Sequence, residues 1–174
     1  ALLSEAGRHE AALAHYREAL ERHPAHHDLL YARSIVFEQL DRTAEMERDL
    51  RRILQDNPED PQALNALGYM LADRTDRYEE AYALLSTAYA QRPNDPAVID
   101  SMGWVLYKLD RLEDALILLR RAAQQLQDGE IYAHLGEVLW ATGRHAEARR
   151  VWRQGLEFAP GNALIMETME RHRR

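Results

Sequence analysis

Leu64-Asn65-Ala66-Leu67-Gly68-Tyr69, Ile99-Asp100-Ser101-Met102-Gly103-Trp104 and Tyr132-Ala133-His134-Leu135-Gly136-Glu137 are three copies of one pattern. A bulky apolar residue is followed three positions later by another, and then by glycine. Gly68, Gly103 and Gly136 lie 35 and 33 residues apart. A second pattern follows each copy: Ala81, Leu85 and Ala88; Ala115, Leu119 and Ala122; Ala148 and Trp152. Spacings of three and four place these residues on one face of a helix. Small residues let two helix backbones approach, and the bulky neighbour fills the space beside them. The prolines keep the same beat, with 34 residues from Pro24 to Pro58 and 35 from Pro58 to Pro93. Asp60-Pro61 and Asp95-Pro96 read as N-cap plus first-turn proline, so each starts a helix. The unit is a helix, a turn and a second helix, repeated every 34 residues or so.

Such a period resembles the tetratricopeptide repeat (TPR) family. The resemblance implies an all-α fold, a right-handed α-solenoid of helix-turn-helix repeats. The expected array covers 1–174 as one domain: a partial repeat 1–26, repeats 27–60, 61–95, 96–128 and 129–162, and a capping helix 163–174. Helices are expected at 1–6 and 9–22, 27–40 and 43–56, 61–73 and 77–91, 96–109 and 112–126, 129–142 and 145–158. An amphipathic helix over 163–172 closes the array, as a solenoid end requires. The repeat at 27–60 departs from the pattern. Arg33-Ser34 replace Leu-Gly, and Met46 and Ile53 replace the small residues. Bulk at these sites is expected to splay the pair.

Composition narrows the function. The chain of 174 residues carries a formal net charge of −7. That balance argues against nucleic acid as a partner, since such binders show a basic footprint. No Cys is present, which removes disulfides, thiolate metal sites and cysteine nucleophiles. The apolar runs are too short to span a membrane. No glycine-rich phosphate loop and no Ser/His/Asp constellation stands out, so no cofactor and no enzymatic activity are expected. His134-x-x-Glu137 with Asp100 nearby is too few ligands for a metal. The chain starts Ala1-Leu2-Leu3-Ser4 without an initiator Met, and is expected to be a piece of a longer protein.

In a TPR superhelix the first helices line the concave surface. The outward stripe on them carries Tyr31, Asn65, Tyr69, Asp100, Trp104, Tyr107, Glu137 and Trp140, with His134 beside it. Aromatic rings projected into a groove suit protein binding. Asn65 and Asp100 are expected to hold a guest's backbone or a basic residue. The single lysine, Lys108, argues against clamping a carboxylate. An apolar or basic extended segment, or an amphipathic helix, is the expected guest.

Leu64 to Thr75, Asp100 to Tyr107 and His134 to Trp140 further resemble a group of TPR proteins from Gram-negative bacteria. Many of these are outer-membrane lipoproteins facing the periplasm. Some are adaptors that bind and activate a carboxyl-terminal processing protease. The resemblance implies a non-catalytic adaptor whose partner is another protein, in the periplasm and anchored through an upstream segment. On the residues alone a cytoplasmic location stays open. The alternative is a structural subunit of an envelope assembly complex, which would self-associate when isolated.

Overall fold

The computed structural model describes residues 2–173, with side chains from Gly7 onward; Ala1 and Arg174, the ends of the expected first and last segments, lie outside the described residues. Ten helices run through the described residues: α1 (Leu2–Arg22), α2 (His27–Gln39), α3 (Thr43–Asp56), α4 (Pro61–Arg74), α5 (Tyr78–Gln91), α6 (Pro96–Lys108), α7 (Leu112–Gln125), α8 (Gly129–Ala141), α9 (His145–Phe158) and α10 (Ala163–Arg171). Four pairs pack most closely, α2 with α3, α4 with α5, α6 with α7 and α8 with α9. First helices also touch first helices, α4 on α6 and α6 on α8. The result is an all-α solenoid.

The repeated glycines sit where two helices meet. A Cβ on Gly68 would lie 2.5 Å from Leu85 Cγ, and one on Gly103 would lie 2.7 Å from Leu119 Cγ. Ala81, Ala115 and Ala148 on the facing helices are fully buried. Aspartates start α4 and α6 as the sequence predicts, and a third starts α8. Asp60 accepts from the Ala63 amide, Asp95 from Ala97, and Asp128 from Glu130 and Ile131. Three turns inside repeats end in a left-handed residue, Asp41, Asp110 or Gly143. At each, the next amide closes back on the helix: Arg42 to Phe37 O, Arg111 to Leu106 O, Arg144 to Leu139 O. Glycine adopts this conformation without strain, so Gly143 suits its place.

Two expectations change. The break expected between 1–6 and 9–22 is absent, and α1 runs unbroken through Gly7. Glycine inside a helix costs about 1 kcal/mol relative to alanine, less than the hydrogen bonds a break would forfeit. The 27–60 pair keeps its bulk buried, at Met46, Leu50 and Ile53, and its helices pack less closely than those of the other three pairs. Arg33 takes the apolar position and binds buried Asp49 through two hydrogen bonds, 2.6 and 2.7 Å. Finally, α10 is more than a cap. Asn162 caps it by accepting from the Ile165 amide, as Asp128 does for Ile131 one period earlier. It packs on α8 and α9 in the place of a further first helix.

Candidate functional site

The first helices α2, α4, α6, α8 and α10 wall a concave groove holding two cavities that meet at Tyr69. The larger, about 710 Å³, lies between the rings of Tyr69, Trp104 and Tyr107 and the α10 residues Leu164, Glu167 and Arg171. The smaller, about 260 Å³, lies between Tyr31, Asn65, Asp100 and Glu130.

A connected set of side chains holds the floor. His134 Nδ1 lies 3.0 Å from both oxygens of Asp100, and both residues are buried. Burial opposes the charged imidazole, but the Asp100 carboxylate, with Glu130 and Asp73 behind it, outweighs burial and raises the His134 pKa. Its indole neighbour Trp104 stacks on the imidazole at 4.1 Å and donates Nε1–H to Asp73 at 3.1 Å. Tyr69 reaches from α4 across α6 to α8. Its hydroxyl donates to Glu130 and lies 3.3 Å from His134 Nε2. Burial, then the nearby carboxylates Glu130 and Asp73, drive the Tyr69 pKa far upward, so the phenol stays protonated and can donate. Lys108 Nζ rests 4.9 Å above Trp104 and 5.9 Å above Tyr107, a cation–π contact. Glu137, almost buried, binds His172 at 3.0 Å and Arg171 at 3.3 Å, which ties the end of α10 to α8.

Tyr31, Asn65, Tyr69, Asp100, Trp104, Tyr107, His134 and Glu137 all line one cavity or the other. Trp140 does not. It stacks between His145 at 4.0 Å and His172 at 4.8 Å, beyond the groove end, because the chain after α10 folds over it. Asp100, expected to hold a guest, is committed to His134 instead. Trp104 is 7% exposed, with His134 stacked on its ring and Lys108 over it, so it offers a guest little surface. Sequence reasoning missed the contribution of α10. The distance of one period from Gly129 to Ala163 was the signal for it. Asp73 was also missed as a groove residue; it is one period before Tyr107 and close to Trp104. Among the described residues no group of three or more His, Asp or Glu converges as a metal site. No helix among them is long and apolar enough to cross a membrane.

Tetratricopeptide repeat signatures match residues 2–45 and 47–96, with further matches at 74–135 and 129–154. The chain belongs to the tetratricopeptide repeat family. Repeats of this family typically serve as non-catalytic scaffolds for protein–protein interaction. A TPR repeat-containing protein of Pseudomonas aeruginosa is 46% identical over 135 residues, 78% of this chain. The chain spans 23% of that relative's length. Among solved structures, a thermophilic TPR protein of Thermus thermophilus superposes with a TM-score of 0.79 at 23% identity, covering 97% of this chain and 93% of that one. YrrB, described as a TPR protein with an unusual peptide-binding site, has a TM-score of 0.64 at 20% identity, covering 97% and 87%. These two likenesses concern the TPR fold alone.

Proposed function

We propose that this TPR array holds an extended segment of another protein in its concave groove. The observation that carries the reading is the larger cavity. At about 710 Å³ it falls within the roughly 300–1,000 Å³ typical of ligand sites. Three aromatic rings and Leu164 supply apolar surface, while the carboxylates of Asp73, Glu137, Glu167 and Glu170 outnumber the cations Lys108 and Arg171 around it. An apolar side chain flanked by basic residues suits that combination. The peptide-binding site named for YrrB supports the same use of this fold. The resemblance to periplasmic adaptor lipoproteins nominates a carboxyl-terminal processing protease as the first partner to test, and the periplasm as the location.

The test is capture and affinity measurement with the full-length parent protein and that protease, comparing Tyr107→Ala with Ile117→Asp. Loss of binding in the first, with melting unchanged, supports the groove. Loss only in the second moves the interface to the other face. There a second reading has its own observation. Ile117 is 66% exposed beside Tyr82, Met102 and Leu118, which line an apolar cavity of about 250 Å³ between α5, α6 and α7. A permanent subunit of an envelope assembly would bury such a patch, and the isolated chain would then self-associate in sedimentation.

A further inference from the structure

We propose that the smaller cavity receives a basic side chain, arginine or lysine, of the bound segment; this rests on the reading of the groove as a protein-binding surface. Its volume, about 260 Å³, is below the roughly 300 Å³ at which drug-sized sites begin, so it fits one side chain rather than a folded element. Four carboxylates line it, those of Glu38, Asp100, Asp128 and Glu130, and no Lys, Arg or His does. Asp100 is balanced by His134, and Asp128 caps the start of α8. Glu38 and Glu130 remain. Arg74 lies near Glu38, but its guanidinium is bound to Asp73 and Asp41. Burial raises the pKa of Glu38, with Glu130 next. Burial also raises that of Glu130, with Asp100 and Asp128 adding to it against His134 and Tyr69. Both carboxylates are thus poorly solvated and Glu130 opposes the charge on Glu38, costs that a guest cation would relieve.

A second observation is independent of the charge. Asn65 lines the same cavity, and its Oδ1, turned away from solvent, accepts no hydrogen bond among the described residues. A half-turn of the Asn65 amide presents that oxygen to the cavity, where a guest carrying several N–H donors supplies its missing partner. The rings of Tyr31 and Tyr69 flank the same space, and Ile131 and Met46 give its wall an apolar portion for the aliphatic stem. In the larger cavity the protein fills the equivalent need itself, with Lys108 over Trp104.

The experiment uses N-acetyl-arginine amide and its uncharged isostere N-acetyl-citrulline amide as probes, followed by amide chemical shifts of the whole chain. Support is a saturable response at Asn65, Ala97 and Glu130 with the arginine probe. It should be about tenfold weaker with citrulline and in Glu38→Gln and Glu130→Gln. Glu38→Gln lies outside the Tyr69–His134 network, so it reports even where Glu130→Gln perturbs folding. An equal response to both probes, or no saturable response with arginine, overturns the proposal. The groove reading is tested separately by Tyr107→Ala, which lies in the other cavity, so either reading can fall without the other.

Discussion

Gly136 on α8 faces the indole of Trp152 on α9 so closely that a Cβ on the glycine would lie 1.9 Å from Nε1. That indole is fully buried and donates to Ala133 O at 3.3 Å, so it has nowhere to move. Gly136→Ala should therefore destabilise by about 1–3 kcal/mol through overpacking. Gly7→Ala should do the reverse. Nothing lies within 4 Å of a Cβ there, and the residue is helical. A gain of about 0.5–1 kcal/mol is expected. Urea unfolding of both variants checks the two signs.

The groove rings should separate into two classes. Trp104 is buried, stacked on His134 and bonded to Asp73, so Trp104→Ala should cost about 3–5 kcal/mol of stability as well as binding. Tyr107 is partly exposed, and Tyr107→Ala should weaken partner affinity by about 2 kcal/mol with a smaller effect on melting. Calorimetric melting beside titration with the partner distinguishes them. Equal melting losses for both would place Tyr107 in the core.

Stability should depend on pH through His134. A histidine with a raised folded-state pKa stabilises the fold below its ordinary value of 6.5, and that contribution is lost as pH rises through the folded value. The unfolding free energy should fall as pH rises above the ordinary histidine value of 6.5, and the fall should shrink in Asp100→Asn. Urea titrations at several pH values test it. An identical slope in the variant would show that Asp100 does not hold the proton on His134.

Arg33→Ala should be costly because it leaves Asp49, 2% exposed, with only the exposed Arg48 at 3.8 Å. Removing one partner of a buried pair costs about 3–5 kcal/mol, with Arg48 offsetting part of it. The double change Arg33→Leu with Asp49→Leu copies Leu67 and Leu84 of the next repeat. It should be neutral or stabilising by about 1–4 kcal/mol. A double-mutant cycle measures the coupling.

Local pattern made much of this molecule readable. Gly68 and Gly103 announce their contacts because a missing side chain leaves a periodic signature. Asp60 and Asp95 announce helix starts because capping involves residues only a few positions apart. Asp100 and His134 are one period apart, so their adjacency follows from the repeat. Trp140 was misread because His145 and His172 cover it, and ring stacking of this kind leaves no periodic signature. The reach of Tyr69 was not legible at all. It depends on how tightly the array curves, which no residue spacing encodes.

That reach changes how the array should come apart. Repeat arrays commonly behave as a row in which each unit feels only its neighbours, so one end can fray while the other holds. The Tyr69 hydroxyl joins α4 directly to α8, passing over the pair between them. A link of that range makes the three central pairs a single cooperative block. Hydrogen exchange should show α4, α6 and α8 opening together in the native chain, and one by one in Tyr69→Phe.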